Sequence, residues 1–281
     1  MAPSATASQL VDRNASGIRL AVNGRGEALI TYTAHARLKH VLAWGAINAR
    51  APSQAQPQVA FRLDYAGGFG KYHHAYWKRF GHQCGAYRGQ PLAWLVAACT
   101  APDGSNWALQ AWQRSLPDYG GSASGARSAW DIRLSHWTGP QAALTVKTDW
   151  TYRRFDHLYG SLVYQGKPVY GFHTTRLGSP LDGYARLIYV DTFDSRYGSG
   201  WHRENSFVTH RPTGIFCYGF FPHGGRPTGK GTRYRATAIG PGVTPDVLWQ
   251  GPAPGPYNRA ADARANAEQR AAFSDQLCRP N

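Results

Sequence analysis

Ile18-Arg19-Leu20-Ala21-Val22-Asn23-Gly24-Arg25-Gly26-Glu27-Ala28-Leu29-Ile30-Thr31-Tyr32-Thr33 decides the fold class. Two largely apolar runs, Ile18 to Val22 and Ala28 to Thr33, flank Asn23-Gly24-Arg25-Gly26. Asn and Gly tolerate the positive φ of a tight reversal, so the stretch reads as a β-hairpin. Upstream, residues 1–16 are polar and read as a disordered lead-in. Met1-Ala2-Pro3-Ser4 lacks the basic and apolar regions of a signal peptide and reads as a mature N-terminus with an initiator added.

Downstream the strand pattern continues. Lys39 to Trp44 is a further strand, residues 51–57 form a loop, and Val59 to Tyr65 alternates with one apolar face. Tyr72, Ala75, Tyr76 and Phe80 break the alternation at helical spacing, which predicts one short helix over 72–80. Leu92 to Ala98 is a continuous apolar run that suits a buried strand, with a helical turn as the alternative. Trp107 to Trp112 and Trp130 to Trp137 are strand-like and are separated by the Gly/Ser-rich loop 120–125. Beyond Leu144 to Trp150, Gln165-Gly166-Lys167 makes a second hairpin between Ser161–Tyr164 and Pro168–His173. Strands are predicted at Ala185–Asp191, Ser206–Thr209, Gly214–Phe221, Arg233–Ile239 and Val247–Trp249. Residues 258–278 are Ala-rich and Pro-free and read as a terminal helix packing through Ala261, Ala265, Ala272 and Leu277. The expectation is a mainly β protein: two packed antiparallel sheets, a sandwich or jelly roll, with one short helix and a C-terminal helix. One domain over 17–281 accommodates this, and a split near 120–127 is the alternative.

Composition narrows the partner. The formal net charge is +15, from 31 Lys plus Arg against 16 Asp plus Glu. Such a field attracts polysaccharide or other polyanions. Only six of the 31 are Lys, and no basic run stands out, so the charge is diffuse and arginine-based. A GC-rich genome produces the same skew. With 10 Trp and 16 Tyr, the chain is rich in groups that stack on sugar faces.

Four cysteines, Cys84, Cys99, Cys217 and Cys278, include no C-x-x-C pair, which argues against zinc ribbons and thioredoxin chemistry. Wide even spacing suits two disulfides outside the cytoplasm, and of the three pairings Cys84–Cys99 with Cys217–Cys278 is favoured. No run of apolar residues is long enough to span a membrane. G-x-S-x-G, G-x-G-x-x-G and the P-loop pattern are all absent, against a serine nucleophile and nucleotide use.

Residues 191–210 hold the densest chemistry. In Trp201-His202-Arg203-Glu204-Asn205-Ser206-Phe207-Val208-Thr209-His210, an extended chain places His202, Glu204, Ser206 and His210 on one face. That face offers a candidate metal site or general acid–base pair. Asp191 and Asp194 just upstream could join Glu204 as paired carboxylates for glycoside hydrolysis, or chelate calcium, although they miss the calcium-loop spacing. No other cofactor is expected. Trp201 and Arg203, with Tyr72, His73 and Trp77 of the predicted helix, are the candidate ligand-binding residues.

Leu92 to Cys99, His210 to Phe220 and Ile239 to Trp249 resemble segments of uncharacterised secreted proteins of actinobacteria. The resemblance implies secretion and carries no activity. Three function classes follow. The first is a secreted glycan-binding protein of the envelope or extracellular matrix. The second is a carbohydrate-active enzyme, as a polysaccharide lyase or glycoside hydrolase. The third is a secreted nuclease or nucleic-acid binder, for which no motif speaks.

Overall fold

A computed structural model describes residues 8–50, 58–115, 128–151, 155–169, 173–174, 180–181, 188–195, 198–203, 206–210, 215–220, 222–223, 226–227, 231–240, 242–253 and 258–273. The loops at 51–57 and 120–125, Glu204 and Cys278 lie outside these residues. Every strand pairing among them is antiparallel. The protein is mainly β, as the alternation predicts, and the chain divides into two compact units.

The first unit takes residues 1–114, 128–141 and 239–246. Its elements are β1 (Gln9–Arg13), β2 (Ser16–Val22), β3 (Glu27–Ala34), β4 (Arg37–Trp44), β5 (Arg62–Asp64), α1 (Phe69–Tyr72), a 3-10 turn (Tyr76–Arg79), β6 (Gly85–Ala86), β7 (Leu95–Thr100), β8 (Asn106–Ser115) and β9 (Ser128–Trp137). One sheet runs β1-β9-β8-β7-β6 and the other β2-β3-β4-β5. Alternation turns Ala28, Ile30 and Tyr32 of β3 inward with Val41 and Ala43 of β4. They share one core with Trp107 and Leu109 of β8 and Ile132 and Leu134 of β9. Burying each of these large side chains contributes ~2–3 kcal/mol.

The Asn23-Gly24 hairpin forms as read. Asn23 Oδ1 accepts the N–H groups of Arg25 (2.9 Å) and Glu27 (3.2 Å), and Gly26 takes φ +69°. The Cys84–Cys99 disulfide also forms as expected, with Cα atoms 5.6 Å apart. Its intended counterpart cannot be placed, because Cys278 lies outside the described residues.

Three local expectations are corrected. Residues 9–13, assigned to the lead-in, make β1, because Val11 is one apolar position that the core buries. The 72–80 helix is two separate single turns. His73 at φ +58° closes α1 after Tyr72, and the chain turns again only at Tyr76. The run Leu92 to Ala98 is not a buried strand: β7 starts at Leu95, and Leu95 and Val96 are exposed.

The second unit takes residues 115–127, 142–238 and 247–281. Its elements are β10 (Ala143–Thr151), β11 (Phe155–Tyr164), β12 (Lys167–Pro168), β13 (His173–Thr174), β14 (Pro180–Leu181), β15 (Ile188–Ser195), β16 (Gly198–Arg203), β17 (Ser206–His210), β18 (Ile215–Phe220), β19 (Pro222–His223), β20 (Arg226–Pro227), β21 (Arg233–Ala238), β22 (Val247–Pro252) and α2 (Arg259–Phe273). One sheet is ordered β10-β11-β18-β17 with β12 beside β11, and the other β16-β15-β21-β22. α2 packs on β10, with Asp262 buried and Ala261 half-buried. Asn258 caps it by accepting the N–H groups of Ala260 and Ala261.

Candidate functional site

The register of β15 decides where the 191–203 side chains go. Asp191 pairs with Arg203, Thr192 with His202, and Phe193 with Trp201. On the other side, Asp191 pairs with Arg235 and Phe193 with Arg233. Directly opposed residues share a face and successive residues alternate. One face of this sheet therefore carries Asp191, Phe193, Trp201, Arg203, Arg233 and Arg235. His202 lies on the opposite face, away from Asp191, with Nε2 2.9 Å from the Ser199 carbonyl.

The extended segment over 202–210 is interrupted. β16 ends at Arg203, and β17, which carries Ser206 to His210, belongs to the other sheet. His202 and His210 do not share a strand, and Glu204 falls between the two strands, outside the described residues. Asp194 sits in the β15–β16 reversal at φ +51°, and its Oδ1 accepts the Gly200 N–H at 2.8 Å. It is a turn residue there, three positions from the buried Asp191. Among the described residues no three His, Cys, Asp or Glu side chains gather to hold a metal ion.

Asp191 is a buried carboxylate gripped from both sides. Arg203 Nε donates to Oδ1 at 2.6 Å; Arg235 donates to Oδ2 from Nε at 3.0 Å, with Nη2 at 2.8 Å. Burial alone would raise its pKa, but the two guanidiniums outweigh this and hold it below the ordinary carboxylate value. Removing Asp191 would leave buried cations uncompensated, at a cost of about 3–5 kcal/mol.

The arginines also stack. Arg203 Cζ lies 3.8 Å from the Tyr189 ring centre, Arg235 Cζ 4.6 Å from Trp201, and Arg233 Cζ 4.3 Å from Phe193. Phe193 and Trp201 meet edge to face at 5.1 Å. Along this face Arg233 is exposed, Trp201 and Phe193 are half-buried, and Arg203 is buried. Among the described residues this face carries three guanidiniums and one carboxylate; Arg203 and Arg235 pair with Asp191, and Arg233 lies over Phe193 and Trp201. Among the described residues, Arg203 Nη1 and Nη2 and the buried Thr237 hydroxyl bond to nothing. The sequence signal for Arg233 and Arg235 is their alternation, which puts both on one side of a strand.

In the first unit, Glu27 is a second focus. The sequence suggests a solvated residue beside a turn; the structure buries it at 2 % exposure. It accepts hydrogen bonds from Asn23 Nδ2 (2.7 Å), Lys71 Nζ (2.7 Å), Tyr76 (2.9 Å) and Tyr72. Burial pushes its pKa up; the Lys71, Tyr72, Asn23 and Tyr76 bonds reverse this and bring it down to about 2. Arg25 lies over the Tyr72 and Tyr76 rings at 5.6 and 5.5 Å, and Lys71 Nζ is 4.4 Å from the Trp44 ring centre. Trp77 stacks on His40 at 5.5 Å, while His73 is exposed at the end of α1. Tyr72, His73 and Trp77 therefore do not line one helix face. Glu27 is a clip that holds the 69–79 turns to the sheet, and all its lone pairs are engaged.

Compared with known protein families, with curated proteins and with solved structures, the chain matches none.

Proposed function

We propose that the protein binds acidic glycans outside the cytoplasm through the Arg–aromatic face of β15, β16 and β21. One observation carries the reading: among the described residues, three guanidiniums share one face with Tyr189, Phe193, Trp201 and a single carboxylate, and Arg233 there is exposed beside the Phe193 and Trp201 rings. Aromatic rings stack on sugar faces, and guanidinium pairs bidentately with a carboxylate or sulfate. The excess of positive charge on this face matches the +15 of the chain. Binding is favoured over hydrolysis because the one carboxylate on the face among the described residues is ion-paired twice and free to act neither as acid nor as base. The Cys84–Cys99 disulfide is compatible with an extracytoplasmic location, and no helix among the described residues is long and apolar enough to cross a membrane.

The test is retention on immobilised polygalacturonate and heparin at low salt, with dextran as the neutral control. The wild type is retained on the acidic matrices and eluted by salt. Arg233→Ala and Trp201→Ala each weaken binding by about tenfold with unchanged thermal unfolding. Equal retention on dextran, or retention indifferent to both substitutions, removes the reading. Release of new reducing ends or unsaturated sugars would replace it with an enzyme.

A further inference from the structure

In the first unit, β7 is an edge that its neighbour only half covers. β6 pairs with it at two positions, Gly85 with Thr100 and Ala86 with Cys99. On the other side β7 is laddered to β8 from Leu95 to Thr100, with the register shifted by a bulge between Leu95 and Ala97. Over Leu95 to Ala98, no second ladder runs along the outer side among the described residues, and no turn or loop bond takes its place there. Natural edge strands are shielded by charge, Pro, bulges or short length, since unpaired N–H and C=O groups template further pairing; here the Val96 bulge interrupts the edge without closing it. Leu95-Val96-Ala97-Ala98 has no charge and no Pro, and Leu95 and Val96 are 47 % and 39 % exposed.

A pocket of about 240 Å³ opens beside this edge. Leu20, His82, Cys84, Ala97, Ala98 and Cys99 contribute to its lining. Ala97, Ala98 and Cys99 are consecutive, and consecutive strand residues point to opposite faces. What they present jointly to the pocket is therefore the strand's rim, backbone included. The Cys84–Cys99 disulfide ties the segment leading into β6 to β7, which holds the edge in place before anything binds. His82, which accepts the Val22 N–H on Nδ1 at 3.2 Å, is fixed by that bond where it lines the pocket.

We propose that the free edge of β7 binds an extended acidic peptide by strand addition, seating one apolar side chain in the pocket against the disulfide. The unpaired backbone selects an extended strand, because only a strand matches a row of alternating donors and acceptors. The volume admits a leucine or an aromatic ring, since a cavity of ~150 Å³ already holds benzene. The chain's +15 selects an acidic partner and disfavours a second copy of itself, which carries the same charge.

The experiment uses the oxidised full chain and a fluorescein-labelled peptide, Glu-Glu-Thr-Val-Thr-Phe-Thr-Glu, followed by anisotropy at low salt. Binding is saturable, and amide exchange within Leu95–Ala98 slows at least tenfold. Two further peptides are N-methylated on alternate residues. One loses at least tenfold in affinity and the other binds like the parent, because only one set of amides meets the edge. Replacing Phe by Gly also costs at least tenfold. The proposal falls if both methylated peptides bind like the parent, if a peptide with Lys for Glu binds as tightly, or if exchange at 95–98 is unchanged. It falls equally if those amides are protected by concentration-dependent dimerisation without peptide, which would make a second copy the occupant.

Discussion

His136 lies flat on Trp107, with ring centres 3.7 Å apart, and is sealed from solvent. Its Nδ1 meets the Ala46 carbonyl, and its Nε2 is 2.8 Å from Ser105 Oγ, whose proton goes to Asp103 at 2.6 Å. Burial lowers its pKa to about 4, although the Ala46 carbonyl and Asp103 pull the other way. The unfolded ring takes a proton near 6.5, well before the folded one does. Its stabilising contribution is therefore complete above pH 6.5 and is lost as pH falls toward 4. The shift corresponds to about 3 kcal/mol. Urea midpoints measured between pH 7 and pH 4 should fall steeply in the wild type and less in His136→Gln, which starts lower. Glu27 acts in a more acidic window: its contribution is present above 4.5 and is lost as pH falls toward 2. Neither role was legible in the sequence. Alternation put His136 in a strand, but its partners Ala46 and Ser105 come from distant segments, and nothing near Glu27 in the chain foretells Lys71 or Tyr76.

Hairpins were the elements most legible in the sequence, because their cause is local. Asn23-Gly24 and Gln165-Gly166 each supply positive φ or a side-chain acceptor where the chain reverses. The 72–80 segment misled for the opposite reason. Tyr72 and Tyr76 are four apart, as on a helix, yet each is set by the same carboxylate on β3. Gly68 makes this packing feasible: it takes φ +97°, and a Cβ there would sit 2.8 Å from the Cβ of Tyr76. Gly68→Ala should cost about 2 kcal/mol through strain and displacement of Tyr76, read as a lowered urea midpoint. In the 191–210 stretch the strand periodicity was correct for each part. What failed was continuity, since β16 ends at Arg203 and β17 belongs to a different sheet, which puts His202 and His210 on different strands.

For the whole molecule, the β class followed from period-2 alternation and abundant turn residues, whereas the division into two units depends on long-range pairing that no local pattern encodes. The Cys84–Cys99 bridge closes a loop with a separation of 15 residues and stabilises by about 3 kcal/mol. Reductant, or Cys84→Ala with Cys99→Ala, should lower the unfolding free energy by that amount. The first unit also takes in residues 239–246, far from its other segments. Asp246 there accepts hydrogen bonds from Trp112 Nε1 at 2.7 Å and Gly240 N at 2.9 Å, with Ser8 also donating, while the Val243 carbonyl accepts the His136 N–H at 2.8 Å. A chain emerging from the ribosome in order thus exposes the beginning of this unit long before its last strap exists. A fragment ending at residue 141 should leave the Trp112, Ser8 and His136 donors without these acceptors, and show loose near-ultraviolet dichroism that an added 239–246 peptide tightens. Synthesis must pass residue 246 before what was made first can close.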